Sequence, residues 1–337
     1  MPMKKIAFLA HDPGGYDVLL SVVQRLQKEH VPLEFYCLGP AAKLNPVNVT
    51  SESEVVQTIQ SMLLEKKLSG LVTGTSWGNQ LELEIISACK AALIPTIAIL
   101  DYWSNYQARF KNNIGHLIYP DHYIVMDEMA KEEAIQEGVP SNILQVLGHP
   151  GLDKYIAIER RKICFTNKKK KLLFLSQPLS ALYGEELGYT EQQVLEDCIM
   201  VVQGDNDYSL SVKFHPKDDE ELKQRYLDIS VVGDLRDIMT EYDVIIGMNT
   251  MGLLHAVLMG IPAISYQPDL QKPDMCITNK LGFTRLIRSY QDLEFILNRY
   301  IGEGCKDFYL PKSFIWLDGL STNRVAGFIR KVVLDEY

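Results

Sequence analysis

The chain has 337 residues, of which 47% are hydrophobic and 23% charged, with a formal net charge of -9. That length predicts about two domains, and the balance is that of a globular protein with sizeable cores, which excludes whole-chain disorder. The acidic balance argues against nucleic-acid binding, which needs a basic face, and no apolar run approaches the roughly 20 residues of a membrane span.

The opening Met1-Pro2-Met3-Lys4-Lys5 is followed by five apolar residues, too few for a signal peptide. Six cysteines are scattered at 37, 89, 164, 198, 276 and 305, with no CxxC and no His at metal-ligand spacing. They read as reduced structural thiols of a cytoplasmic protein.

In chain order, Lys4–Ala10 reads as a buried parallel strand, and His11-Asp12-Pro13-Gly14-Gly15 as a loop. Tyr16 to Glu29 is helical, with Val18, Leu19, Val22, Val23 and Leu26 on one face, and Leu33–Leu38 is a second strand. This βαβ unit seeds a doubly wound parallel sheet. The alternation continues with a helix over Ser53–Lys67, a strand at Gly70–Thr73, a helix over Gln80–Ala92 and a strand at Thr96–Leu100. A strand at His122–Met126, a helix over Asp127–Glu137 and Ile143–Val146 lead to Gly148-His149-Pro150-Gly151, read as the exit to a hinge.

Arg160-Arg161-Lys162 and Lys168 to Lys171 flank a polar stretch without periodicity, the expected boundary. The lysine run reads as a solvated linker, with weak peripheral contact to anionic lipid as the sharper alternative. The pattern restarts with strands at Lys171–Ser176, Ser209–Phe214, Ile229–Val232, Tyr242–Gly247 and Pro262–Tyr266. Helices are expected over Thr190–Gln203, Asp219–Arg225, Asp234–Glu241, Met251–Met259, Tyr290–Ile301 and Thr322–Leu334. The expected architecture is α/β: two Rossmann-like doubly wound domains, 1–160 and 168–320, facing a cleft. A closing helix in 321–337 is expected to pack back towards the first domain. In such sheets ligands bind at the carboxyl ends of strands.

Two segments of the second half point to a phosphate-bearing ligand. Lys213-Phe214-His215-Pro216-Lys217 places a histidine between two lysines at a strand end. Asn249-Thr250-Met251-Gly252 opens a helix, whose N-terminal amides suit a phosphate; a plain N-cap is the alternative for Asn249 or Thr250. Adjacent strand ends would bring the two together. In the first half, His11 or Asp12 is a candidate general base, and Gly14 and Gly15 permit close backbone approach to a ligand; a tight turn with Asp12 as helix cap is the alternative. There is no GxGxxG.

The loop Asp101-Tyr102-Trp103-Ser104-Asn105-Tyr106-Gln107-Ala108-Arg109 is the most function-like. Aromatics there could stack on sugar faces, Asn105 and Arg109 could pair with hydroxyls or a carboxylate, and Asp101 is the candidate base. A buried aromatic cluster with an Asp cap is the bland reading. Ser76 and Gln177 are further candidate ligand contacts. No DxD-type metal cluster stands out, and Asp218-Asp219 read as helix-start residues.

With a Lys-x-His-Pro turn and a strand–loop–helix ending in Gly260-Ile261-Pro262, the chain resembles GT-B glycosyltransferases, in particular bacterial capsule and polysialic-acid transferases. It also resembles the UDP-N-acetylglucosamine 2-epimerases of the same fold. The resemblance implies a metal-independent enzyme without a cofactor, taking a nucleotide-sugar donor and a glycan or lipid-linked hydroxyl acceptor, in surface polysaccharide or glycoconjugate synthesis. His215 would then contact the donor phosphate, with Asn249 and Thr250 where the transferases place hydroxyl residues. His255 stands where the family often has a Glu held to bind ribose. Lys213 ahead of His215-Pro216 favours the transferase side. The alternatives are a UDP-sugar 2-epimerase or hydrolase, or a non-catalytic relative.

Overall fold

The computed structural model describes residues 4–45, 51–156, 169–204, 207–302 and 314–334. The chain divides into two compact units, Met1–Ala157 with Ser313–Tyr337, and Ile158–Lys312. The basic break at Arg160–Lys162 and Lys168 lie outside the described residues, while Lys170 and Lys171 open a strand.

The first unit runs β1 (Lys5–Ala10), α1 (Pro13–Lys28), β2 (Leu33–Cys37), α2 (Glu52–Leu64), β3 (Leu68–Thr73) and α3 (Leu81–Ala91). It continues through β4 (Thr96–Ile99), β5 (His122–Val125), α4 (Glu128–Gln136), β6 (Leu144–Val146) and α5 (Asp153–Ile156). The second unit holds β7 (Lys170–Leu175), α6 (Leu179–Tyr183), α7 (Glu191–Gly204), β8 (Tyr208–Lys213), α8 (Glu220–Arg225) and α9 (Leu235–Met239). It ends with β9 (Val244–Gly247), α10 (Met251–Leu258), β10 (Ala263–Tyr266), α11 (Ile277–Lys280), β11 (Leu286–Ile287) and α12 (Tyr290–Gly302). The chain returns to the first unit as α13 (Ser321–Leu334).

The first sheet has six strands in the order β2-β1-β3-β4-β5-β6, the second five in the order β11-β10-β9-β7-β8. Every strand pair is parallel. Two Rossmann-like, GT-B-like α/β units are therefore present.

Period-two alternation along β1 explains the layering of the first unit. Ile6, Phe8 and Ala10 join α1 and α13 residues such as Val18, Val22, Val325 and Ile329. Ala7 and Leu9 point the other way, into a core with Val55 and Ile59 of α2 and Ile85, Ile86 and Cys89 of α3. Each fully buried aliphatic side chain contributes roughly 1.5–3 kcal/mol, so α13 is an integral layer. Asp153 fastens its start, accepting the amides of Ser321 at 3.2 Å and Thr322 at 2.7 Å.

Two strand expectations need correcting. Ile229–Val232 forms no strand of a sheet: a tight turn at Leu227–Ile229 leaves a single bridge from Ser230 to Val212. Leu286–Ile287, too short to show periodicity, extends the sheet as β11.

Candidate functional site

In the second unit, β7 lies between β8 and β9, so the two expected phosphate loops are not on neighbouring strands. Leu175 pairs with Lys213 on one side and Gly247 on the other, which levels the two loop exits. The residues after β7 stitch them together. Ser176 N donates to Lys213 O at 3.0 Å, and Asn249 N donates to Gln177 Oε1 at 3.1 Å. Gln177 thus has a positioning role that the sequence pattern did not reveal.

His215 is exposed, and its loop is tightly turned. Buried Asp218 accepts the His215 amide at 2.7 Å, and Lys217 N donates to His215 Nδ1 at 3.1 Å. An Nδ1 that accepts leaves the ring proton on Nε2 in the neutral form. Desolvation of the ring lowers its pKa; Asp218 opposes this, while Lys217 and Lys223 add to it. At neutral pH, His215 is a neutral Nε2–H donor rather than the cation that two flanking lysines imply. Asp218 does not start a helix but ties the turn, and its own pKa is raised by burial; Asp219 caps α8.

Thr250 is the N-cap of α10: its Oγ1 accepts Gly252 N at 3.1 Å. The Gly252 amide is therefore already capped, a correction to its reading as a phosphate donor. The missing side chain at Gly252 has a packing reason, because a Cβ there would stand 2.4 Å from Leu175 Cδ1. Met251 is the first residue of α10, and partly buried His255 lies in its last turn, where a cation suits the helix dipole.

In the first unit, the carboxyl ends of β1, β3 and β4 bring several candidates together. Arg109 Nη1 donates to Asp101 Oδ1 at 2.7 Å and to Thr75 Oγ1 at 3.0 Å, and Nε donates to Ser104 O at 3.1 Å. The Asp101–Arg109 pair is largely shielded. Arg109 therefore orients Asp101, which corrects its reading as a ligand partner.

Asp101 Oδ2 lies against the start of α1: a Cβ on Gly14 would stand 1.9 Å from it. Gly15 packs on Gly74, where a Cβ would stand 2.9 Å from Gly15 Cα. The close approaches that these glycines permit are thus made by Asp101 and by backbone. Packing therefore gives a reason of its own for a glycine at both positions. Asp12 occupies the N-cap position of α1 without a side-chain cap bond. It lies 3.1 Å from His11 Nδ1 instead, with Glu52 Oε1 3.6 Å from Nε2.

Glu82, which the sequence reading missed, joins this group. It is buried, and Oε2 accepts Ser76 N at 2.8 Å. Burial raises its pKa to about 7; bonding to Ser76 pulls it down, and Asp12 and Asp101 push it up. The signal was present: Glu82 shares a helical face with Ile85, Ile86 and Cys89. Ser76 itself is buried and serves this clamp. His149 was read as a hinge marker, yet its buried ring stacks on Trp103 and its Nε2 donates to Asp101 O at 3.0 Å.

The aromatic loop is corrected most. Trp103 is buried with Nε1 on Asp127 Oδ2 at 2.9 Å, and Tyr106 is buried with its hydroxyl on Glu133 Oε2 at 2.6 Å. Neither presents a ring face for a sugar. Asn105, exposed with φ 56°, turns the loop. Among the described residues no cluster of three His, Cys, Asp or Glu side chains is arranged to hold a metal ion, and no helix is long and apolar enough to cross a membrane.

No protein-family model matches the sequence, and no curated protein matches it at the sequence level. Solved structures share its fold over almost the whole chain. UDP-GlcNAc 2-epimerase from Methanocaldococcus jannaschii is 13% identical with a TM-score of 0.67, covering 96% of this chain and 99% of its own. The Neisseria meningitidis enzyme, bound to UDP-GlcNAc, is 12% identical with a TM-score of 0.67, covering 97% and 100%. S. aureus MnaA with UDP is 14% identical with a TM-score of 0.65, covering 98% and 96%. The chain has the fold of UDP-GlcNAc 2-epimerases; at these identities, the likeness is one of fold.

Proposed function

We propose that the chain is an enzyme that binds a UDP-linked amino sugar and acts on that sugar without an acceptor, as a UDP-N-acetylhexosamine 2-epimerase or hydrolase. Fold alone does not assign function, so the site must carry the reading. The observation that carries it is the carboxyl group of the first unit, Asp101 held by Arg109 and Thr75 beside buried Glu82. Inverting a carbon that bears hydrogen requires removal of a proton and its return from the other face. A carboxylate oriented by Arg109 suits the removal, and buried Glu82 acts on it only through its own charge. In the second unit, His215 Nε2–H and the loop fixed by Gln177 offer donors to a diphosphate, which is the leaving group when the sugar–phosphate bond breaks. The full-length fold shared with enzymes solved with UDP or UDP-GlcNAc supports the choice of ligand.

The test is incubation with UDP-N-acetylhexosamines in D2O without acceptor, followed by proton NMR. A C2 epimer carrying deuterium, or released UDP, is expected. Neither product with any UDP-N-acetylhexosamine would sink the reading. Transfer seen only after adding a hydroxyl acceptor would favour the transferase reading, whose one specific support is Lys213-Phe214-His215-Pro216.

A further inference from the structure

Glu82 lies on the buried face of α3 between Leu81 and Leu83. Its clamp on Ser76 needs one acceptor oxygen, which a glutamine would also supply. The other oxygen, Oε1, is buried and accepts no hydrogen bond among the described residues. It lies on a glycine seam: a Cβ on Gly74 would be 3.4 Å from Oε1 and 2.9 Å from Gly15 Cα. Where the two loops touch, both residues are glycine, so backbone alone fills the seam between Glu82 and the start of α1. Asp12 precedes that start, and Asp101 Oδ2 rests against it at Gly14.

A buried carboxyl with one unbonded oxygen is more stable protonated, because its bonding to Ser76 replaces only part of the hydration that charging it forfeits. Two carboxylates nearby strengthen the preference, since like charges in one site do not ionise together.

We propose that Glu82 and Asp101 form an acid–carboxylate pair in which Glu82, a positioning residue, holds a proton beneath the glycine seam while Asp101 is the carboxylate. The pair then carries one negative charge below about pH 7 and two above it. The groups facing Glu82 are Ser76 from its own loop, Asp12 from the β1–α1 loop, and Asp101 after β4, which is paired with Arg109. Any change of charge at Asp101 is felt at Glu82 as a change in its hold on the proton. The acid–base roles rest on the proposed function; the proton on Glu82 does not.

The experiment is a 13C-carboxyl NMR titration of the full-length protein, with the Glu82 signal assigned by its loss in Glu82→Gln. Glu82 is expected to titrate near neutral pH and to move down by about half a pH unit or more in Asp101→Asn and in Asp12→Asn. Because Asp101→Asn also strips Arg109 of its partner, Asp12→Asn is the independent arm. A Glu82 that ionises in the ordinary carboxylate range, or that Asp101→Asn does not move, overturns the pair. In a second arm, the pH profile of UDP-N-acetylhexosamine turnover is expected to lose its limb near neutrality in Glu82→Gln, with KM changed less than about twofold. A limb retained in Glu82→Gln overturns the coupling to Asp101. Turnover absent from both proteins overturns the proposed function, while the titration still decides the pair.

Discussion

Arg109 Nη1 meets Asp101 Oδ1 at 2.7 Å in a site where the arginine side chain is 7% exposed and the aspartate 17%. Breaking a shielded pair from one side leaves a charge without its partner, which costs about 3–5 kcal/mol, whereas removing both sides costs much less. Arg109→Met is therefore expected to lower the urea midpoint of the first unit far more than the double change Arg109→Met with Asp101→Leu. Equal midpoints would show that the pair is not what holds this loop. Arg109→Lys should also lose stability, because an ammonium cannot span Asp101, Thr75 and Ser104 in one plane.

His215 makes a different kind of prediction, because its ring proton is fixed by a neighbour. With Lys217 N on Nδ1, Nε2–H is the donor offered at neutral pH. A hydrogen bond to a charged group contributes about 1.5–3 kcal/mol, so His215→Ala should weaken UDP-GlcNAc binding by about tenfold or more in calorimetry. The pH dependence follows from the lowered pKa of His215. Above that pKa the ring is neutral; as pH falls through it, the ring gains a charge that a diphosphate stabilises. Affinity should therefore rise more on acidification in the wild type than in His215→Ala, where the proton on Glu82 still adds to the site. UDP-GlcNAc suits this measurement because its diphosphate has no ionisation of its own in that range. Affinity that falls with pH in the wild type would remove His215 from the phosphate contact.

The alternation of β1 and the face of α1 carried most of the fold, since one period-two strand and one helical stripe fix both layers of the first unit. What composition could not resolve was the direction of polar and aromatic side chains in loops. Trp103 and Tyr106 sit among polar neighbours in a sequence that suits ligand stacking equally well. Only the three-dimensional placement of Asp127 and Glu133, each more than twenty positions away in the chain, shows that both are satisfied inside. The hold of Gln177 on the Asn249 loop is invisible in the sequence for the same reason: its partner is 72 positions distant. Glu82 was legible in principle, as a carboxylate on an apolar helical face, but a search for strand-end residues passes over the first turn of the next helix.

The raised pKa of Glu82 also bears on stability. Its carboxyl stands at about 7 in the fold against an ordinary 4.5. The folded protein then holds a proton that the unfolded chain releases between those values. The stability linked to this group is full below about 4.5, declines as pH rises, and is gone once pH passes about 7. At about 1.4 kcal/mol per pH unit, the whole span is worth roughly 3 kcal/mol. Glu82→Gln keeps an acceptor for Ser76 N but has no such slope. Relative to wild type, it should gain stability steadily in urea titrations from pH 5 to pH 7.5. A constant difference between the two proteins across that range would mean that Glu82 is ionised in the fold.

Asp127 is a second anchor, beside Asp153, for the return of the chain to the first unit. Its Oδ2 accepts the indole N–H of Trp103 at 2.9 Å and of Trp316 at 3.0 Å, and its Oδ1 caps α4 at Ala130 N, 2.8 Å away. The two indoles also meet edge to face, with centroids 5.9 Å apart. One carboxylate thus satisfies three donors, two of them on buried tryptophans. Asp127→Ala removes the acceptor that both indoles share and the cap; at about 1–3 kcal/mol for each buried donor, the loss should reach roughly 3–5 kcal/mol. Asp127→Asn keeps one acceptor oxygen and should lose less. Trp316→Phe removes a donor together with its need, so adding it to Asp127→Ala should cost less than the two changes made separately. Additive losses in that cycle would show that the hydrogen bond to Asp127 does not secure the segment ahead of α13.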